Sequence, residues 1–117
     1  MKTEISNFIA HSKADAWKHL EEPGVDTEGI FVKVLRYDEQ TERAPTILLK
    51  FAPGAKYPYH NHPAGEEIFV IEGSAVIEGT ILSPGDYLYT PPGFKHAVIS
   101  EKGCTLLLVI PEEVQIL

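Results

Sequence analysis

From Gly29 onward, short runs of Val, Ile, Leu, Phe and Tyr recur between turn-forming residues, with no helical period in between. Strands this short and this closely spaced bury their apolar residues only by pairing into sheets that face one another or close on themselves. Candidate strands are Ile30 to Tyr37, Thr46 to Ala52, Glu67 to Ile71, Ala75 to Leu82, Tyr87 to Thr90, Ala97 to Ser100 and Cys104 to Ile110. Between them stand DEQTERAP, Pro53-Gly54, EGS, SPGD from Ser83 to Asp86, PPG from Pro91 to Gly93, and EKG, where Gly, Pro and Asp supply the turn angles. The pattern predicts an all-β sandwich or barrel over residues 29–117, preceded by an N-terminal arm over 1–28. Within the arm, Ser12 followed by Asp15 fits the cap of a short helix ended by Pro23-Gly24. Trp17 and Leu20, three apart, fit equally an extended arm laid across a hydrophobic surface. Leu106 to Ile110 run without alternation and are expected to be covered on both faces, which points to a homodimer.

Length and charge narrow the function classes. A chain of 117 residues is one domain, able to bury a core but without room for a second module. With 17 acidic against 10 basic residues its formal net charge is −7, and the basic residues are scattered. Neither a nucleic-acid partner nor an anionic membrane surface is expected, because both require clustered Lys and Arg. The single Cys104 excludes an internal disulfide and any CxxC site, in keeping with a reducing cytoplasm. It reads as a small buried apolar residue or, alternatively, as a redox-sensitive thiol. Met1 to Ala10 lacks the apolar core of a signal peptide, and no later run approaches a membrane span, so a soluble cytoplasmic protein is expected.

Five histidines are left to explain. His60 and His62 alternate, so on an extended segment both imidazoles leave the same face, about 6–7 Å apart along the backbone, a gap that one metal ion can bridge. Glu66 follows after the turn-rich Pro63-Ala64-Gly65, and His96 stands after PPGFK, where the chain could return it to the pair. Neutral imidazoles and a carboxylate are the ligand set of a divalent transition metal. An HxH pair by itself also fits ordinary surface or core histidines. Strand alternation puts Glu67 on the face opposite Glu66, which favours Glu66 as the inward carboxylate. Tyr57, Tyr59, Tyr87, Tyr89 and Phe94 cluster in sequence around these residues and read mainly as barrel packing, with one or two lining a pocket. His11 and His19 belong to no motif and default to solvent.

Taken whole, the first segment has Gly54, five residues, His60, one residue, His62, three residues, Glu66, six residues, Gly73. The second has Gly85, five residues, Pro91, one residue, Gly93, two residues, His96, then three residues to Ser100. The two stretches resemble the two signature motifs of the cupin family. That resemblance implies a single antiparallel jelly-roll barrel and, carried over by position, His60, His62, Glu66 and His96 as metal ligands. Ser100 stands where the family pattern often has Asn, a position outside the ligand set, so only local loop hydrogen bonding differs. The eleven-residue stretch Ser74 to Pro84 between the motifs, with GEEIFVIEG, SPGDYLYTPPGFKH and GCTLLLVI, is similar to the cupin domain of ChrR-like proteins. Trp17, Pro23-Gly24-Val25, KVLRYD and FAPGA look like the lead-in of that subgroup. There the cupin domain follows an anti-sigma domain with its own zinc site; these residues hold no counterpart, and regulation of a sigma factor is not carried over.

Three neutral imidazoles and one carboxylate around a divalent ion leave a net charge of about +1. An octahedral Fe, Mn, Ni or Co ion would keep two positions open for water, dioxygen or a bidentate substrate, whereas Zn closed in a tetrahedron would be structural. Three functions fit: a metal-dependent oxygenase or isomerase acting on a small organic molecule, a non-catalytic metal- or oxidant-sensing module, and a structural barrel.

Overall fold

Along Glu66–Gly73, Ile68 and Val70 are buried while Glu67, Phe69 and Ile71 are exposed, and alternation of this kind sorts the chain into two layers. The computed structural model describes residues 4–117; the first three residues of the expected arm lie outside them. Its strands are β1 (Lys18–His19), β2 (Ile30–Asp38), β3 (Arg43–Phe51), β4 (Lys56–Asn61), β5 (Glu66–Gly73), β6 (Ala75–Ile77), β7 (Thr80–Leu82), β8 (Tyr87–Thr90), β9 (Lys95–Ile99), β10 (Cys104–Val109) and β11 (Gln115–Ile116). One antiparallel sheet has the order β1-β2-β3-β10-β5-β8 and the other β11-β4-β9-β6-β7. Their facing sides bury Ile30, Leu49, Phe51, Ile68, Val70, Ala75, Ile77, Val98, Leu106 and Leu108 in the sandwich of a jelly roll. No helix among the described residues is long and apolar enough to cross a membrane.

Five of the seven expected strands form with ends shifted by up to three residues, and Tyr87–Thr90 forms as expected. The expected strand Ala75 to Leu82 is instead a hairpin of β6 and β7. Glu78 and Gly79 make its two-residue turn, with φ of 49° and 72°, the left-handed pair that matches the twist of flanking strands. β4 lies outside the expected strands because Pro58 and the polar HNH hide its alternation. The register of β4 against β9 shifts between Tyr57 and His60, so one extra residue on β4 forms a bulge there. The bulge turns both Tyr57 and His60 inward despite their odd spacing. Gly73 marks the tightest backbone approach. At φ 75°, a Cβ there would lie 2.1 Å from the carbonyl oxygen of Gly103.

The arm takes the extended alternative. Two single turns of 3-10 helix, Ile5–Phe8 and Ser12–Ala14, precede β1, and no α-helix forms among the described residues. Pairing of Lys18 with Val32 and of His19 with Phe31 holds the chain extended where a helix was the other option. Trp17 then lies beneath Lys33 and Lys50, whose Nζ atoms stand 4.8 and 5.7 Å from its ring centroid. Leu20 turns the other way, onto the core. His11 and His19 are exposed as expected, although the His19 ring also bonds the Thr27 carbonyl at 3.1 Å.

Leu106 and Leu108 are buried, but Leu107 and Val109 are only half-buried, because this chain covers a single side of β10. Phe69, Ile71, Tyr87 and Tyr89 lie exposed on the neighbouring strands β5 and β8. If a second copy supplies the missing cover, light scattering gives twice the 13.0 kDa chain mass. A concentration-independent monomer would remove the expected dimer.

Candidate metal centre

Four buried polar side chains converge between the sheets. His60, on β4, faces His96, on β9, as a cross-strand partner. His62 follows β4, and Glu66 opens β5 beyond the Pro63-Ala64-Gly65 turn. In that turn the amides of Gly65 and Gly93 both donate to the His62 carbonyl at 3.1 Å, tying the second motif to the first. A Cβ on Gly65, whose φ is 80°, would stand 2.8 Å from the Thr90 carbonyl oxygen, so only glycine lets the chain fold back this closely. The result brings one ligand atom from each of His60, His62, Glu66 and His96 within 4.8 Å of the others, and none of the four residues is more than 3% exposed.

The polar atoms point at one another rather than at conventional partners. Nε2 of His60 and Nε2 of His62 are 2.8 Å apart; Glu66 reaches His62 Nε2 at 3.2 Å and His96 Nε2 at 3.3 Å. The His96 approach is misaligned, so His96 Nε2 and Glu66 Oε1 are both buried without a hydrogen bond. His60 donates from Nδ1 to the Pro58 carbonyl at 2.7 Å, which leaves its Nε2 lone pair aimed into the cluster. Unsatisfied buried nitrogen and carboxylate atoms that converge in this way fit a divalent cation, and the four residues can hold one. Burial lowers the pKa of His60 to about 4, opposed by the Pro58 bond and reinforced by His96. Burial, then the charges of His60 and His96, lowers His62 to about 3. Both imidazoles are therefore neutral, the form that ligates a metal. Burial pushes the Glu66 carboxyl up, offset by His96.

His60, His62 and Glu66 of the cluster line a cavity of about 420 Å³ whose walls are mainly apolar: Ile47, Leu49, Ile68, Val98, Leu106, Leu108 and Ile110. Leu20 to Pro23 and Val25 of the arm form one side of it, and Glu113, Val114 and Ile116 near the C terminus form another. Tyr57 stacks edge-on against His60 at 4.9 Å and donates from its hydroxyl to Glu22 at 2.6 Å. Burial and that bond hold the phenol protonated well above its usual range. Sequence reasoning missed Glu22 and Arg43 as cavity residues; Glu22 is thirty-five residues from its partner, and Arg43 reads as part of a turn.

Glu66 is buried in the cluster and Glu67 lies outside, accepting a hydrogen bond from Tyr87 at 2.6 Å. Ser100 is fully buried and donates to the Ser74 carbonyl at 2.6 Å, which serves the loop hydrogen bonding at its position. The aromatic expectation needs correction: only Tyr57 packs inside, and Tyr59, Tyr87, Tyr89 and Phe94 are exposed because they fall on outward positions of their strands or on a turn. Cys104 is buried, its thiol pKa raised by that burial, as suits a packing residue.

Comparison with known proteins agrees with this architecture. A family model described as the ChrR Cupin-like domain matches residues 6–111. The dimethylsulfoniopropionate lyase DddQ of Ruegeria pomeroyi is 43% identical over 49 residues, 38% of this chain and 24% of that protein's length. Among solved structures, the polyketide cyclase RemF of Streptomyces resistomycificus superposes with a TM-score of 0.73 at 21% identity, over 100% of this chain and 86% of that one. An RmlC-like cupin of Shewanella frigidimarina gives 0.68 at 19%, over 90% and 91%. An acetylacetone dioxygenase of Acinetobacter johnsonii gives 0.67 at 16%, over 86% and 67%. At these identities the structures share the fold alone.

Two measurements probe the cluster. His62→Ala is expected to weaken metal binding at least tenfold and to lower the melting temperature of metal-loaded protein; wild-type metal content would remove His62 from the ligand set. In metal-free protein, the unfolded chain takes up protons on His60 and His62 near pH 6.5 that the fold refuses until about pH 4 and 3. Stability is therefore present above pH 6.5 and lost as pH falls through that window. Glu66 has the opposite sign and offsets part of the loss. Thermal melts from pH 7.5 to 4.5 should show a falling midpoint in Glu66→Gln, where the opposing carboxyl is gone, and a level or rising midpoint in that variant would contradict neutral buried imidazoles.

Proposed function

The chain belongs to the ChrR cupin-like domain family, and from that premise we propose that it is a small metal-dependent enzyme acting on an organic molecule bound between the sheets. The observation that carries this reading is that three of the four cluster residues, His60, His62 and Glu66, line a largely apolar cavity rather than being sealed in the core. A purely structural centre needs no adjoining space; a substrate does. A divalent transition ion held by the four residues, whether Zn, Fe, Mn, Ni or Co, would supply Lewis-acid polarisation of a substrate oxygen. The chain's own residues supply the rest. His60 is locked by the Pro58 carbonyl, the apolar walls exclude water from the bound molecule, and Tyr57, its ring edge-on to His60 and its hydroxyl anchored on Glu22, lines the cavity.

Oxygenase- or isomerase-like chemistry fits such a site, and the lyase activity named for the Ruegeria relative adds elimination to the reactions to be tried. The family match favours a second reading, a module that binds metal and an effector without turnover.

Elemental analysis of protein purified without added metal, followed by turnover assays, separates the readings. The panel comprises diketones, thiols, enediols and dimethylsulfoniopropionate. Near-stoichiometric metal and a turnover abolished by chelator and restored by one ion are expected. Metal bound tightly with no turnover across the panel would favour the binding module, and absence of metal after reconstitution would overturn both.

A further inference from the structure

Among the described residues, Arg43 is the one Lys or Arg that lines the cavity. It opens β3, and its Nη1 donates to the carbonyls of Ile110 at 2.7 Å and Pro111 at 3.0 Å. Two backbone acceptors thus fix the guanidinium while three of its five N–H donors stay free. No carboxylate lies within ion-pair distance of it among the described residues. A half-buried guanidinium held on two backbone carbonyls at the edge of an apolar cavity, with no carboxylate partner, keeps its remaining donors available to an anion.

The strand register places this cation relative to the cluster. Val109 pairs with Thr46 on one side and with Glu67 on the other, and the Ile110 amide donates to the Pro45 carbonyl. Pro45, Ile110 and Glu66 therefore lie at one level across three adjacent strands. At about 4.8 Å between strands, Ile110, whose carbonyl holds the guanidinium, lies one strand spacing from the backbone of Glu66 and Pro45 lies two, and Arg43 shares one cavity with His60, His62 and Glu66. Ile47, Leu108 and Ile110 wall the space between. We infer that Arg43 is the anchor for the carboxylate of a small organic acid, whose few-carbon apolar body spans the cavity and whose far end meets the His60, His62, Glu66 and His96 cluster.

A guanidinium recognises a carboxylate through two parallel hydrogen bonds, which neither an amide nor a cation reproduces. The acidic residues at the rim do not occupy this role. Glu22 accepts from Tyr57, the Glu21 side chain is 85% exposed beside His19, and Glu113 is exposed. Solvated charges of this kind repel an incoming anion weakly compared with a direct bidentate pair.

The inference rests on the metal-site reading above, and the test separates the two. Calorimetric titration of the full chain, loaded with zinc, with butanoate, pentanoate and hexanoate is compared with the matching primary amides and with alkyl trimethylammonium ions. Wild type is expected to bind at least one acid tenfold or more tightly than its amide. Arg43→Gln should bring the acid down to the level of the amide while leaving metal content and amide binding unchanged, and Arg43→Lys should fall between. Equal binding of acid and amide by wild type, or a preference for the cations, overturns the inference without any variant. A folded Arg43→Gln protein that binds acids as wild type does also overturns it. If wild-type protein takes up no metal yet keeps an Arg43-dependent preference for acids, the anchor stands and the metal reading falls; a metal-replete protein that does not discriminate has the converse meaning.

Discussion

The interior of this protein must tolerate three imidazoles and a carboxylate packed within 4.8 Å of one another and almost wholly out of water. An unpartnered polar group in such a place costs about 1–3 kcal/mol, and a charge considerably more. The neutral state of His60 and His62, with pKa values lowered to about 4 and 3, removes the larger penalty. The smaller one is met at His60 by the Pro58 carbonyl and stays unmet at His96. Surrounding apolar side chains offset what is left, at about 1.5–3 kcal/mol for each fully buried Ile or Leu. Ile68 and Leu106, each 1% exposed, belong to that surround.

The pairing of β4 with β9 lets the cluster exist at all. It sets His60 opposite His96, and the bulge between Tyr57 and His60 allows a tyrosine and a histidine of unlike parity to share one face. Without the extra residue, Tyr57 and His60 would point to opposite sides, and the link from the cluster through Tyr57 to Glu22 on the arm would be lost. The β4 register thus determines which residues the arm can touch as well as which atoms can meet a cation.

Much of this is legible in the amino-acid sequence alone. The alternation in β5 and the apolar run of β10 are local signals with a fixed period, and the spacing of His60, His62, Glu66 and His96 survives any shift of strand ends. The preference for Glu66 over Glu67 rested on period-two geometry, and the two residues do lie on opposite faces. Other features had no local signature. The Glu78-Gly79 turn was overlooked because apolar residues on either side read as one continuous strand. The exposed aromatics misled because size and hydrophobicity report burial tendency, while the face on which a side chain lands depends on register. Arg43 and Glu22 reach the cavity through contacts with residues sixty-seven and thirty-five positions away, a relation that only topology creates.

The position of Trp17 has an experimental consequence. It is the single tryptophan of the chain, and it sits on the arm beneath Lys33 and Lys50 rather than in the core or beside the cluster. Its emission therefore reports whether the arm is docked on the sheet, with little contribution from the residues of the cluster themselves. Because Leu20, three residues further on, belongs to the cavity wall, the same fluorophore serves as an intrinsic optical gauge of how the N-terminal segment responds when the cavity fills.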